Sequence, residues 1–283
     1  MRLRLVVLAA ILSYQSVILS QGLEVGLFGG VSNYNGDLSD VRVNLSETHP
    51  SFGGFLRYNF TERFALRLGL TYGQVSESDA NSVIDYRKVR NLSFRSNIYE
   101  AALLAEVNLF GLNGIDKKFS PYIFGGISLF HFNPEAFYQG EWIALQPLGT
   151  EGQGTTAFPS REKYKLNSFA VPFGLGVKID FGSMVLGLES GLRKTFTDYL
   201  DDVSTTYVDP AVLIPENGSL ALNLSNRTGE ILGIPLVLGN TDQRGNPAST
   251  DWYAFTGVTL SFKLTNRVAS TSKKGSSLNC PKF

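Results

Sequence analysis

Residues 64–73, FALRLGLTYG, decide how the rest of the chain is read. Every second side chain is large and apolar (Phe64, Leu66, Leu68, Leu70, Tyr72), and between them stand Ala65, Arg67, Gly69 and Thr71. Period two is the spacing of a β-strand, whose successive side chains point to opposite faces. A soluble barrel would turn its bulky face inward and hold its charges in water. Here the face opposite the leucines carries small residues and an arginine, which suits a crowded polar lumen behind a lipid-facing wall. Residues 184–196, MVLGLESGLRKTF, repeat the arrangement, with Met184, Leu186, Leu188 and Leu192 on one side and Gly187, Glu189, Gly191 and Arg193 on the other.

Six more stretches of about ten residues alternate in the same manner. They are LEVGLFGGVSNY from Leu23, FGGFLRYNF from Phe52, NIYEAALLAEVNLF from Asn97, PYIFGGISLFHF from Pro121, SFAVPFGLGVKI from Ser168 and WYAFTGVTLSFKL from Trp252. In PYIFGGISLFHF neither face stands out, and its orientation stays unassigned. Each stretch is long enough to cross a bilayer when tilted. Together they predict an all-β fold: an eight-stranded antiparallel transmembrane barrel over residues 23–264.

The links between them alternate in length. Residues 61–63 (TER), 111–118 (GLNGIDKK) and 180–183 (DFGS) are short and rich in turn residues, whereas 35–51, 74–96, 133–167 and 197–251 are long. Short periplasmic turns and long extracellular loops characterise outer-membrane barrels. An exported lipocalin-like barrel has no reason to sort its loops. The long loops mix apolar residues with turn chemistry, so local packing or function is expected of them.

The start of the chain, residues 1–22, reads MRLRLVVLAAILSYQSVILSQG: two arginines, an apolar run, then small residues. That is the pattern of a secretory signal peptide. No later stretch reaches the ~20 apolar residues of a spanning helix. Without Arg2 and Arg4, 25 − 2 = 23 basic residues face 25 acidic ones, which leaves no basic footprint for nucleic acid.

Inward positions, collected across strands, comprise Glu24, Glu100, Glu106 and Glu189 against Arg57, Arg67, Lys178, Arg193 and Lys263. A barrel of about eight strands is only wide enough inside for side chains. The near balance of charge predicts an ion-pair network that plugs the lumen, because unpaired charge in so confined a space is costly. In the last strand Gly257, Leu260 and Phe262 fit the glycine-x-x-apolar-x-aromatic ending that barrel-insertion machinery recognises in similar proteins, although Phe255 stands where a polar residue is usual.

Chemistry is sparse. The histidines are His49 and His131, and alternation puts His131 and Ser128 on opposite faces, which rules against a nucleophile–base pair there. No cofactor or metal is expected and the chain reads as non-enzymatic. The acidic run FTDYLDDVSTTYVD (Asp198, Asp201, Asp202, Asp209) could hold calcium through its oxygens, form a solvated loop or meet a basic partner. An even number of strands returns the C-terminus to the side of the N-terminus, so both ends are expected in the periplasm. Residues 265–283 form a polar tail with Arg267, Lys273, Lys274 and Lys282, no acid, and Cys280, the one cysteine of the chain. A lone exported cysteine pairs with another chain or stays a free thiol.

The segments GDLSD (36–40), RYNFTERFALRLGLTYG (57–73), NLSFRSNIYE (91–100), HFNPEAFY (131–138), LQPLGTEGQG (145–154), FTDYLDDVSTTYVD (196–209) and the closing Cys280-Pro281, in that order, resemble the PorG-like outer-membrane barrels of the Bacteroidota. The resemblance implies a component of the type IX protein secretion system, embedded among outer-membrane lipids. Its partners would be a periplasmic ring of a lipoprotein and a companion protein (PorK and PorN). The basic tail would then steer towards the ring, and Cys280 could form an intermolecular disulfide with a ring subunit. The alternative is a barrel with an independent surface role, in adhesion or envelope integrity, exercised through the long loops.

Overall fold

The computed structural model describes residues 22–40, 44–113 and 115–264. The leader up to residue 21, the tail 265–283 and Cys280 lie outside the described residues. Eight strands run β1 (Leu23–Asn35), β2 (His49–Asn59), β3 (Phe64–Ser78), β4 (Ser93–Asn108), β5 (Phe119–His131), β8 (Asn167–Asp180), β9 (Met184–Thr195) and β10 (Trp252–Lys263), with β6 (Pro134–Tyr138) and β7 (Glu141–Ala144) between β5 and β8. Each of the eight pairs antiparallel with the next, and β1 pairs with β10, which closes the sheet into a barrel.

Turn chemistry sets the short end. Thr61 Oγ1 accepts from the backbone N–H of Arg63 and Phe64 at 3.1 and 3.0 Å, and so joins β2 to β3. Between β8 and β9, Asp180 Oδ1 accepts from Gly182 N–H at 2.9 Å, and Gly182 takes φ +93°, a value that glycine adopts without strain. Both ends of the described chain meet at this rim, where Leu264 N–H donates to Leu23 O at 2.8 Å.

The pleat then sorts the side chains. On β3 Phe64, Leu66, Leu68 and Leu70 stand exposed on the outer wall while Ala65 and Arg67 are buried in the lumen; β9 repeats this with Leu186 and Leu188 outside and Glu189 and Arg193 inside. A belt of exposed leucine, isoleucine and phenylalanine around a polar interior is a lipid-facing wall. No helix among the described residues is long and apolar enough to cross a membrane, so crossing falls to the strands. Inward glycines make room for rings: a Cβ on Gly26 would lie 2.3 Å from the Phe55 ring. Gly30 and Gly257 face each other across the β1–β10 seam, where a Cβ on Gly257 would come within 2.4 Å of Gly29 O.

The long links pack locally over the barrel mouth. β3 and β4 stay paired well past the barrel, from Val75↔Ser96 to Ser78↔Ser93, which shortens the expected 74–96 loop to 79–92. The long link 133–167 contains the β6–β7 hairpin, which joins the projecting part of β4 at Arg95↔Glu135. Among the described residues four short α-helices complete a cap: α1 (Asp85–Arg90), α2 (Pro210–Asn217), α3 (Ser219–Ser225) and α4 (Thr228–Leu232). Asp209 caps α2 by accepting from Ala211 N–H, with Pro210 entering the first turn. Ala136 and Leu145 of the hairpin region pack on Leu224 of α3, and Val208, Leu213 and Ala221 form a second small core. The cap is therefore a folded layer with its own apolar centres.

Candidate functional site

The lumen divides into two zones. In the half nearer the short turns, Arg57 Nη1 lies 2.8 Å from Glu24 and its Nε 2.8 Å from Glu106. Glu106 also holds Arg67 Nε at 3.0 Å and Lys178 Nζ at 2.5 Å. Arg67 continues to Glu189 at 2.7 Å, and Tyr122 donates to the same carboxylate. Arg193 meets Glu100 at 3.3 Å, Tyr253 donates to Glu100 at 2.7 Å, and Lys263 pairs with Asp180 at 2.5 Å. All nine charged residues singled out from the sequence are paired in the lumen: Glu24, Arg57, Glu106, Arg67, Lys178 and Glu189 form one connected network, Lys263 pairs separately with Asp180, and Arg193 with Glu100 lies nearer the long loops, beside Tyr253 and Phe255. Asp180 and the two tyrosines were missed. Asp180 follows Lys178 by two positions on β8, so alternation alone was enough to find it.

Aromatic rings line the same space. Arg57 and Arg67 lie over the Phe55 ring at 4.8 and 5.3 Å, Arg193 over Phe255 at 4.6 Å, and Lys178 over Tyr122 at 4.0 Å. Such contacts favour the desolvated cations. The void among Phe28, Arg67, Glu100, Glu189, Arg193 and Phe255 is about 30 Å³, room for ordered water and little else.

Above the charges sits an apolar plug with no counterpart in the sequence reading. Phe28, Ile98, Phe130, Tyr253 and Phe255 from the barrel, Val75 and Phe94 from the projecting β3–β4 pair and Phe132 just past β5 pack with Leu38, Leu200 and Val203 from the cap as one buried cluster. The barrel is shut twice, by ion pairs below and by rings and aliphatic side chains above.

The acidic run at 196–209 is largely interior. Asp201 and Asp202 are buried. Tyr34 Oη lies 2.6 Å from Asp201 and 3.1 Å from Asp251, Val203 N–H donates to Asp201, and Leu200 N–H donates to Asp251. Asp202 accepts from Thr150 at 2.5 Å and Tyr164 at 2.7 Å and lies 3.5 Å from Arg244, which also pairs with Glu151 at 2.9 Å. Asp209 serves as the α2 cap. Burial drives the carboxyls upward: Asp198 to about 7, Asp202 to about 6 against the pull of Arg244, and Asp201 and Asp251 well above the ordinary aspartate value. These residues knit the cap to the barrel mouth. Among the described residues no group of three or more metal-ligating side chains is assembled.

His131 is exposed on the outer wall and Ser128 is buried on the inner one. His49, which the sequence reading passed over, does meet a serine: its Nε2 is 2.6 Å from Ser76 Oγ. Ser76 donates its hydrogen to Glu47, so His49 donates to the serine and does not take its proton. Of the insertion-signal residues, Leu260 and Phe262 face lipid on β10, and Gly257 lies at the β1 seam.

A family described as Domain of unknown function (DUF6089) matches residues 2–210, which takes in β1 to β9 and the first part of the cap. No curated protein matches the chain. Among solved structures, the N-terminal β-barrel domain of Pseudomonas aeruginosa OprF is 14% identical, covers 85% of this chain and 97% of its own, and aligns with a TM-score of 0.34. Neisserial surface protein A is 9% identical over 85% of this chain and 96% of its own at 0.40, and Pseudomonas aeruginosa OprG is 10% identical over 86% and 97% at 0.39. The barrel assignment rests on the strand pairings described above.

Proposed function

The chain belongs to the DUF6089 family, whose description assigns no activity, and from that premise we propose that it is a non-enzymatic outer-membrane barrel that anchors the periplasmic ring of the type IX secretion system. The observation that carries this reading is the double closure of the lumen. A barrel with a void of about 30 Å³ at its ionic centre is no conduit for cargo, so its work is done at its two ends. Both ends of the described chain emerge at the short-turn rim, which on this reading faces the periplasm. The basic segment 265–283 therefore starts on the ring side, and its resemblance to PorG-like barrels names the ring lipoprotein and its companion as partners. Cys280 would supply a covalent link to a ring subunit; a Cys280→Ser strain run without reductant should lose a higher-mass species. The test of the whole reading is purification of the barrel from detergent-solubilised envelopes. Ring proteins should accompany it, and their absence would contradict the proposal.

One observation favours a second reading, an independent surface role. Ile234 and Val237, between α4 and the start of β10, are 77% and 95% exposed, although Leu236 between them is pinned through its backbone to Thr228 and Asn226. Apolar side chains held outward on an ordered loop mark a contact surface. A barrel acting through this surface would purify without ring proteins.

A further inference from the structure

Between α1 and the loop that follows α4, the cap holds a cavity of about 530 Å³. That volume lies within the roughly 300–1,000 Å³ of ordinary ligand sites. Its walls are pinned from several sides. Tyr207 N–H donates to Asp242 O at 2.9 Å, and the N–H groups of Arg244 and Gly245 both donate to Thr205 O at 2.9 Å, which makes the floor a short ladder. Arg90 Nη1 reaches Arg244 O at 2.7 Å and ties α1 to that floor. Just past α1, Asn91 Nδ2 donates to Glu230 Oε2 of α4 at 2.9 Å. The site is therefore preformed.

One polar group on the cavity wall lacks a partner. Tyr207 is only 5% exposed, yet among the described residues nothing bonds its hydroxyl, which opens to the cavity. A hydroxyl so placed calls for a hydrogen-bond partner from outside the chain. The three arginines of the lining are already spent: Arg87 on Asp40 at 3.0 Å, Arg90 on Asp79 at 2.6 and 2.7 Å, and Arg244 on Glu151 at 2.9 Å. Asp37 lines the same cavity, its Oδ2 accepting from Asn246 N–H at 2.7 Å, and forms no ion pair among the described residues. An anion would find no uncommitted cation here and would meet that carboxyl, while a cation would face three guanidinium groups. Tyr86, Val89, Leu236 and Leu238 give the cavity an apolar side.

The chemistry that fits is an uncharged molecule with an apolar face and a rim of hydroxyls, each able to donate and accept. We propose that the cavity binds an uncharged saccharide, one ring lying against Tyr86, Leu236 and Leu238 with a hydroxyl bonded to Tyr207. An extended peptide is the poorer fit, because it needs main-chain groups to pair with and those of the floor are bonded to one another. The site adds to the ring-anchoring reading and needs nothing from it; only its outward aspect rests on the long loops being extracellular.

The test applies the labelled full-length barrel, in detergent, to a printed panel of neutral oligosaccharides ending in glucose, galactose, mannose or N-acetylglucosamine. Sialylated and sulfated counterparts and a panel of extended peptides stand beside them. The wild type should bind a subset of the neutral sugars, and titration with the best of these gives its affinity. Tyr207→Phe removes one oxygen and should weaken that affinity about tenfold. Leu238→Trp fills the cavity and should abolish binding while the barrel keeps its heat-dependent gel shift. Tyr138→Phe, a hairpin tyrosine away from the cavity, should bind like the wild type. Binding to no sugar, to acidic sugars alone or to peptides alone would overturn the proposal, and so would undiminished affinity in Tyr207→Phe or an equal loss in Tyr138→Phe. None of these results depends on ring proteins, so failure here leaves the anchoring reading to its own test.

Discussion

Arg67 on β3 and Glu189 on β9 meet across the full width of the barrel, through Nη1 to Oε2 at 2.7 Å and Nη2 to Oε1 at 3.1 Å. In the ring of eight barrel strands these two stand opposite each other. A two-pronged bond between opposite walls fixes the bore, because an arginine fork holds a carboxylate in one geometry. Glu106 plays the complementary part on β4, gathering Arg57, Arg67 and Lys178 onto one buried carboxylate.

Removing that carboxylate is the sharpest test of the network. Glu106→Ala leaves three buried cations short of a partner and should destabilise the barrel by about 3–5 kcal/mol, the usual cost of breaking a buried ion pair from one side. Urea unfolding of the refolded protein in detergent reads this directly. Unchanged stability would mean that water already compensates the cations.

Closure of the seam predicts an asymmetry between adjacent glycines. A Cβ on Gly257 runs into Gly29 O, whereas a Cβ on Gly29 meets nothing within 4 Å. Gly257→Val should cost about 1–3 kcal/mol or more and lower the yield of folded barrel, as overpacking does. Gly29→Ala should fold like the wild type by the gel-shift assay.

Much of this was legible in single strands. Where one face is leucine and the other is glycine and charge, as in residues 64–73 and 184–196, alternation fixes both the fold and the inward set. It failed where the lumen itself is aromatic. On β5 the inward Tyr122, Phe124 and Phe130 are as apolar as the outward Ile123, Ile127 and Leu129, so the contrast between faces vanishes. Packing of the long loops was expected, but their partners were hidden for a different reason. Asp201 and Asp202 read equally as calcium ligands, a solvated loop or a contact for a basic partner, and only partners 38 to 167 positions away along the chain, such as Tyr164 to Asp202 and Tyr34 to Asp201, show that they are interior. Local pattern carries no record of such partners.

The buried carboxyls make the cap sensitive to pH. Asp198, Asp201, Asp202 and Asp251 all sit above the roughly 3.9 of an unfolded aspartate, so protonation favours the folded cap. Their stabilising share is complete below the unfolded value and fades as pH rises through 6 and 7. Amide exchange in residues 197–209 should be slower at pH 5 than at pH 8 after correction for intrinsic rates, and Asp201→Asn should reduce the difference. The reverse order would contradict the assignment.

The exposed loop separates the two functional readings. Ile234→Asp with Val237→Asp touches no packed contact, so barrel stability should stay within about 0.5 kcal/mol. If the chain anchors the ring, ring proteins should still co-purify with the double variant. A surface adhesin would instead lose its contact while its membrane insertion stayed intact.

Single-channel recording in a planar bilayer bears most directly on the sealed barrel. The wild-type protein, inserted at a density verified by labelling, should pass no steady current. A stable ohmic conductance from the wild type would show that the ion-pair layer and the aromatic plug do not close the bore, and would contradict the account.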